Sequence, residues 1–437
     1  MPTTIPSDPP APGSLRILLL GSGAREASLA TSLSASPLVS EIHLAPGNGS
    51  SIPKCTNHPS LTESNFPALV AHAKHASLNL LLPGSEAALV AGITDYFTLH
   101  APSILTFGPT ASAARLEGSK TFSKHFMHKH NIPTAKWASF DDLAEAEAYL
   151  DSVDYDVVIK ADGLAAGKGV IIPRGKDEAK VAVKQMLQAK AFGAAGERVV
   201  VEELLTGEEV SVLSLCDGEG IVSFPAAQDH KRIWEGDRGP NTGGMGTYAP
   251  TPFATGDVMG VVEREVLQPT LQGMKRDGSP FRGCLFTGLM LTDQGPRVLE
   301  YNVRFGDPET QSVLALLEGD FAKLVWECCV GGLGKGLRVL DQAACTVVIA
   351  AGGYPGVYAK GKRISIEEPK EEGVYVFHAG TKIDQDGRLV TNGGRVISVT
   401  ARGETLERAV AKAYRAVKGI RFEGMQYRKD IAARALK

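Results

Sequence analysis

Little in this chain of 437 residues is out of balance in charge: 46 Lys and Arg stand against 49 Asp and Glu, a formal net charge of -3. With no global field of either sign, an electrostatic grip on nucleic acid or on an anionic membrane is excluded, so any phosphate must be held by a local site. Cysteine is sparse. The six cysteines (Cys55, Cys216, Cys284, Cys328, Cys329 and Cys345) include no CxxC pair, which leaves neither zinc-ligand spacing nor a disulfide framework and fits a reducing compartment. No apolar run approaches the roughly 20 residues that span a bilayer; LRILLL and LNLLLP are far shorter. The opening MPTTIPSDPPAPGS has neither a basic stretch nor a signal-like apolar segment, so residues 1–14 are expected to be a disordered tail. Heptads and internal repeats are also missing. A soluble, cytoplasmic (cytosolic) protein is expected, without nucleic-acid or membrane partners, and as a monomer.

What is present is an ordinary globular composition, 43% hydrophobic and 22% charged, long enough for two to four domains. The apolar run Leu15 to Leu20 ends at Gly21-Ser22-Gly23, and an Ala/Leu-rich segment follows from Glu26 to about Leu33, which reads as strand, tight turn and helix. Two further short strands, Glu41 to Leu44 and Asn79 to Leu82, end in the glycine-containing loops Ala45 to Gly49 and Pro83 to Glu86. Strands ending this way predict an open parallel sheet with its ligand at the strands' carboxyl ends. Lys120 to about His130 reads as a helix closed by Asn131-Ile132-Pro133, placing a boundary nearby. Between Val157 and Val201, two strand-like runs flank a glycine-rich segment and an amphipathic helix around Lys176 to Ala191, the pattern of a small lid. The glycine cluster at Gly331 to Gly334 suggests a linker. Beyond it, Ala344 to Ala351, Gly373 to Phe377 and Arg395 to Thr400 read as strands, closed by a helix at Leu406 to Val417.

Five segments carry the chemistry. In Ile159-Lys160-Ala161-Asp162-Gly163-Leu164-Ala165-Ala166-Gly167-Lys168-Gly169-Val170, three glycines let backbone N–H groups approach a phosphate while two lysines add charge. The GxxxxGK[ST] spacing of a P-loop is missing, and a flexible hairpin with solvated lysines has the same composition. In Val298-Leu299-Glu300-Tyr301-Asn302-Val303-Arg304-Phe305-Gly306-Asp307-Pro308-Glu309, a strand would put Glu300 and Asn302 on one side, two oxygens for a hard cation such as Mg2+. Arg304 continues that face, where a guanidinium can hold a carboxylate or acyl phosphate; a plain polar strand face would look alike. Val201 to Glu209 could form a hinge whose backbone reads adenine, or simply an acidic loop. Gln228 to Arg232 and Gly239 to Gly246 bracket a segment too polar for a core and too glycine-dense for a regular element, as site-lining loops are. Gly21-Ser22-Gly23-Ala24-Arg25-Glu26 is only a partial GxGxxG, which argues against a dinucleotide but suits a monophosphate at a helix N-terminus; a tight turn alone would also serve.

Taken together, LEGSK (116–120), KADGLAAGKGV (160–170), QDHKR (228–232), GPNTGGMG (239–246) and LEYNVRFGDPE (299–309) resemble the glycinamide ribonucleotide synthetase family, also called phosphoribosylamine–glycine ligase, of the ATP-grasp superfamily. The resemblance runs from about Leu15 to Ala432. It implies an α/β and α+β multidomain chain: a Rossmann-like N-terminal domain (15–118), a two-lobed ATP-grasp unit (119–331, lid lobe about 135–205) and a small β-rich C-terminal domain (332–437). It also implies ATP-dependent joining of glycine to 5-phosphoribosylamine through glycyl phosphate, with Mg2+, or Mn2+ in its place.

By position, the resemblance implies that Lys120, Lys160, Gly163, Gly167, Lys168 and Gly169 hold ATP phosphates, with Glu203, Leu205 and Glu209 at the nucleoside. Glu300 and Asn302 would bind the metal, and Lys168, Asp229, Lys231 and Arg304 would serve the chemistry. Gly21, Gly23, Arg25, Glu26, Asn48 and Glu86 would face the phosphoribosyl substrate, with Asn241, Thr242 and Gly243 lining the substrate side. The family's usual GSGGREHA is here Gly21 to Ser28 with Ala24 and Ala27 in place of a glycine and a histidine, and its GPEAPL is Gly84-Ser85-Glu86-Ala87-Ala88-Leu89. A carboxylase of the same superfold, or a nucleotide-binding regulator without turnover, are the competing readings. The chain ends with the synthetase-like region, so no fused activity is expected.

Overall fold

The computed structural model describes residues 9–164, 169–188, 196–334 and 336–436. The N-terminal part is a five-stranded parallel sheet, ordered Cys55–Asn57, Val39–Pro46, Leu15–Gly21, Leu80–Pro83, Leu105–Thr106. Leu18 and Leu20 join one buried cluster and Ile17 and Leu19 another, so both faces of the sheet are covered, and this is why the first strand reads as an unbroken apolar run rather than an alternating one. The order reverses at the central strand, so the switch point lies between the strand ends that carry Gly21 and Pro83.

The lid is an antiparallel sheet ordered Trp137–Phe140, Val199–Glu203, Val157–Ala161, Val170–Ile171. The helices Leu143–Ser152 and Lys176–Leu187 cover it, and the core is its own: Leu150, Ile159, Val183, Met186 and Val201 are buried together. The second helix ends at Leu187 rather than at Ala191, with residues 189–195 outside those described.

The larger lobe is built on Glu208–Asp217 and Arg282–Thr292, paired antiparallel over ten residues, flanked by Ile221–Ser223 and Gly295–Asn302. Its apolar face merges with that of the N-terminal sheet: Val212, Phe281, Leu289 and Tyr301 share a cluster with Leu18 and Phe97. The last sheet mixes distant segments, in the order Gln228–Asp229, Gly246–Ala249, Ala343–Ala351, Arg395–Gly403, Val374–His378, with Met425–Gln426 also pairing to Ala343–Ala351. The polar stretch 228–248 is therefore anchored by two short strands against the C-terminal sheet. The amphipathic helix Leu406–Val417 packs Ala409, Ala413 and Val417 onto that sheet. Among the described residues no helix is long and apolar enough to cross a membrane.

Candidate active site

The site begins on the strand Gly295–Asn302. Tyr301 is buried, its hydroxyl 2.7 Å from Thr270 Oγ1, so the pleat turns Glu300 and Asn302 to the opposite side. Burial opposes ionisation of Glu300, but Lys231, Lys160, Lys120 and Arg304 outweigh it and hold the carboxyl below its ordinary range. Among the described residues no side chain or backbone group hydrogen-bonds that carboxylate directly. An ionised carboxylate and a carboxamide oxygen on one strand face are the donor set of a hard divalent cation, so these two residues fit a metal.

Arg304 follows two residues on. Its Nη2 donates to Asn302 Oδ1 at 3.2 Å and its Nη1 to the Phe305 carbonyl at 3.3 Å. The same guanidinium reaches two carboxylates near the N-terminal sheet, Glu86 Oε2 at 3.3 Å and Glu117 Oε1 at 3.4 Å. Glu117 is itself fixed, accepting from Val303 N at 2.7 Å.

The lid contributes Lys160, whose Nζ lies 2.9 Å from Glu202 Oε1 and 3.2 Å from the Leu299 carbonyl, one residue before Glu300. The other Glu202 oxygen meets Lys124 Nζ at 2.7 Å, and Lys124 also donates to Thr134 Oγ1 at 2.7 Å. Burial lowers Lys124 to about 8 in spite of Glu202. Lys120 caps toward the glycine-rich loop: its backbone N donates to the Asp162 carbonyl at 2.9 Å, and its Nζ to the Gly163 carbonyl at 3.4 Å. Gly169 closes the loop's far side by accepting from Ala161 N at 2.8 Å. Gly167 and Lys168 lie outside the described residues.

Lys231 forms an ion pair with Glu209, and although burial opposes it, that partner and Glu300 raise the lysine's pKa. Asp229, on the strand Gln228–Asp229, is pushed well above the carboxylate range by burial first and then by Glu309, which burial also raises. Lys231 faces both carboxylates and partly offsets this. Thr242 folds back on this segment, donating from N and Oγ1 to the Lys231 carbonyl, both at 2.8 Å. Asn241 pairs with Arg232, and Gly243 N donates to Tyr354 Oη at 3.0 Å.

On the N-terminal side, Gly21 has φ +130°, and a Cβ there would lie 2.4 Å from Glu26 Cδ; only glycine allows this approach. Glu26 caps the helix Ala24–Ser34, accepting from Gly23 N at 2.7 Å through one oxygen and from Arg25 Nε at 2.5 Å through the other. Arg25 also donates to the Phe305 carbonyl at 3.1 Å, joining the turn at Gly21 to Gly23 to the segment that follows the strand Gly295–Asn302 and carries Arg304. Asn48 Nδ2 bridges the carbonyls of Ser22 (3.0 Å) and His378 (2.9 Å). The C-terminal sheet returns the connection through Arg395, whose Nη2 lies 3.0 Å from Asp307 Oδ2 and whose Nη1 donates to the Gly243 carbonyl at 2.7 Å. Ala24 and Ala27 are packed against Phe377 and Ala379, an apolar seam between the first helix and the last sheet.

The structure thus draws Lys120, Lys160, Asp229, Lys231, Glu300 and Arg304 into one neighbourhood of interacting charges, with the Asn302 carboxamide bonded to Arg304 within it and Glu86, Arg25 and Glu26 continuing it. Glu203 and Leu205 lie at its margin: Glu203, at 28% side-chain exposure, faces Lys136 at 3.7 Å, and half-buried Leu205 is in the turn before Glu208. Sequence reasoning missed Glu117, Lys124, Glu202, Glu309, Asp307 and Arg395. For Lys124 a signal existed, since it follows Lys120 by one helical turn.

Three family descriptions match successive parts of the chain: the phosphoribosylglycinamide synthetase N domain at residues 15–117, its ATP-grasp (A) domain at 118–310 and its C domain at 344–434. The chain belongs to the phosphoribosylglycinamide synthetase family. Among its relatives, a bifunctional purine biosynthetic protein of Schizosaccharomyces pombe is 50% identical over 424 residues, which is 96% of this chain and 53% of the relative. The chain spans about half the length of the first curated relatives it matches. The phosphoribosylamine–glycine ligase of Mesorhizobium japonicum is 47% identical, covering 97% of this chain and 99% of that protein. A crystal structure of the Thermotoga maritima phosphoribosylamine–glycine ligase superposes with a TM-score of 0.84 at 36% identity, covering 96% of this chain and all of that one. The synthetase family's ATP-grasp domain implies ATP use with a divalent metal.

Proposed function

We propose that this protein joins glycine to 5-phosphoribosylamine at the expense of ATP, giving glycinamide ribonucleotide, ADP and phosphate, the second step of de novo purine biosynthesis. The observation that carries the reading is the strand face of Glu300 and Asn302, continued by Arg304, which meets Lys160 of the lid on one side and Glu86, at the carboxyl edge of the N-terminal sheet, on the other. A glycine carboxylate oxygen attacks the γ-phosphorus, the β–γ bridging bond breaks and ADP leaves, forming glycyl phosphate. The phosphoribosylamine nitrogen then adds to the glycyl carbonyl, loses a proton, and phosphate departs.

Lys120, Lys160 and the loop from Gly163 to Gly169, including Gly167 and Lys168, hold the phosphates, with Glu203, Leu205 and Glu209 at the nucleoside. Arg304, Asp229 and Lys231 orient the glycine carboxylate and its acyl phosphate, with Asn241, Thr242 and Gly243 closing that side. Gly21, Gly23, Arg25, Glu26, Asn48 and Glu86 face the phosphoribosyl group. Glu300 and Asn302 would hold Mg2+ or Mn2+, which when bound would supply charge neutralisation for the ATP phosphates. The working division is 15–118, 119–331 with its lid at about 135–205, and 332–437, in a cytosolic monomer.

Purified protein given ATP, Mg2+, glycine and phosphoribosylamine is expected to release ADP only when both co-substrates are present. ADP release that ignores glycine, or that bicarbonate supports instead, would overturn the reading.

A further inference from the structure

Away from this site, three imidazoles converge on the flank of the N-terminal sheet. His43 is on the strand Val39–Pro46, His58 follows the edge strand Cys55–Asn57, and His72 lies in the helix Phe66–His75. Parallel pairing of the two strands brings His43 level with Thr56, and His58 N donates to the Leu44 carbonyl at 2.8 Å. The fold thus delivers the rings from three separate elements. Each is half-buried, and one nitrogen from each lies within 4.8 Å of the others. The closest pair is His43 Nδ1 and His72 Nε2 at 2.8 Å, and the ring centroids are 4.4, 4.7 and 5.0 Å apart.

Two further observations point to a ligand. His58 Nε2 is buried without a hydrogen-bond partner among the described residues, a state that costs free energy unless something occupies its lone pair. On the outer side of His43, Nε2 lies 3.8 Å from Glu41 Oε2, and the other Glu41 oxygen accepts from Arg16 Nε at 2.6 Å. At 3.8 Å this is no hydrogen bond, but it sets an arginine-anchored carboxylate beside the outer ring nitrogen while the inner one faces His72, the side from which such groups support a metal-ligating histidine.

We infer that His43, His58 and His72 form a binding site for a borderline-soft divalent transition metal, of the class of Zn2+, Co2+ or Ni2+. Tetrahedral ligands at 2.0–2.1 Å sit ~3.3 Å from one another, within reach of these rings by small side-chain rotations. Three histidines leave the fourth position to water or another small ligand. The ligand chemistry separates this site from the strand face at Glu300 and Asn302: imidazole selects the later transition metals, whereas carboxylate and amide oxygens suit Mg2+. A bound ion would staple the edge strand's exit to the covering helix, so its effect is on stability and not on the ligation.

The full chain, stripped with a chelator and kept in millimolar Mg2+ to saturate oxygen-ligand sites, is titrated with Co2+. The expected result is one equivalent bound, with the visible bands of a tetrahedral nitrogen-ligated ion and no thiolate charge-transfer band. His58→Asn and His72→Asn should each weaken binding at least about 10-fold while leaving glycine-dependent ADP release unchanged. Zn2+ should raise the unfolding temperature of the wild type and not of the variants. In the wild type, Zn2+ should shift the NMR signals of three of the ten histidines, a readout that needs no variant to fold. Absence of stoichiometric binding, binding that survives both substitutions, or shifts at other histidines would each overturn the inference.

Discussion

Arg304 and Glu86, 218 residues apart in sequence, lie 3.3 Å apart from Nε to Oε2. The contact joins the residue that follows the metal-type strand face to the first turn of the helix Glu86–Val90, directly behind the carboxyl end of the strand Leu80–Pro83. It places a fixed planar cation between the strand face of Glu300 and Asn302 and the carboxyl edge of the N-terminal sheet. Arg304→Lys keeps the charge and loses the fork that serves Asn302, Glu86 and Glu117 together. It should lower kcat/KM for glycine by about 100-fold or more with the KM for ATP little changed, read from steady-state kinetics. Near-normal turnover would remove Arg304 from the chemistry.

Glu300→Ala removes a carboxylate from the strand face and little core volume. Turnover should be lost while far-UV circular dichroism stays as in the wild type, because no buried apolar contact is deleted. Full activity in Mg2+ would refute the metal assignment.

Burial, more than any neighbour, pushes Glu117 up to about 7, with Glu86 adding to it and Arg304 opposing. In the folded protein this carboxyl stays protonated well above its ordinary value of 4.5, so the stability it contributes is full below that value and is lost as pH rises through about 7. Ionisation in the same window completes its ion pair with Arg304. The pH profile of kcat/KM for glycine should therefore rise through pH 7, and Glu117→Gln, which cannot ionise, should lack that inflection. An inflection retained in the variant would assign it to another group.

Glu202 is shared by Lys160 and Lys124 and is almost entirely buried, at 2% exposure. Glu202→Gln removes the carboxylate that two ammonium groups share and leaves them only the field of Glu300, which should destabilise the protein by about 3–5 kcal/mol. Urea unfolding followed at the lid should shift to lower concentration. A shift no larger than that of a surface Glu→Gln substitution would show that the lysines find other partners.

Local periodicity and loop chemistry made part of this legible. Gly-rich strand ends announced the open parallel sheet, and a period of two placed Glu300, Asn302 and Arg304 on one face. What escaped was set by pairing between distant strands. Glu202 rather than Glu203 faces Lys160 because the antiparallel register sets Val158 opposite Glu202, and residues two apart on one strand share a face. Nothing within Val201 to Glu209 reveals that parity. Likewise Asp307 with Arg395, and Asn48 with the His378 carbonyl, exist only once the C-terminal sheet has closed on the N-terminal turn. Arg25 shows the limit from the other direction: its Nε and Nη1 bond Glu26 and the Phe305 carbonyl, a structural role that its residue type did not announce. Arg25→Ala should therefore raise the phosphoribosylamine KM and lower the unfolding temperature together; a changed KM at unchanged stability would indicate a purely substrate-facing role.

The most direct test of the account follows oxygen. Glycine labelled with 18O in both carboxylate oxygens is turned over with ATP and phosphoribosylamine, and the released phosphate is analysed by mass spectrometry. Attack of the carboxylate on the γ-phosphorus predicts one 18O in each phosphate and the other retained in the amide product; unlabelled phosphate would contradict the glycyl phosphate route.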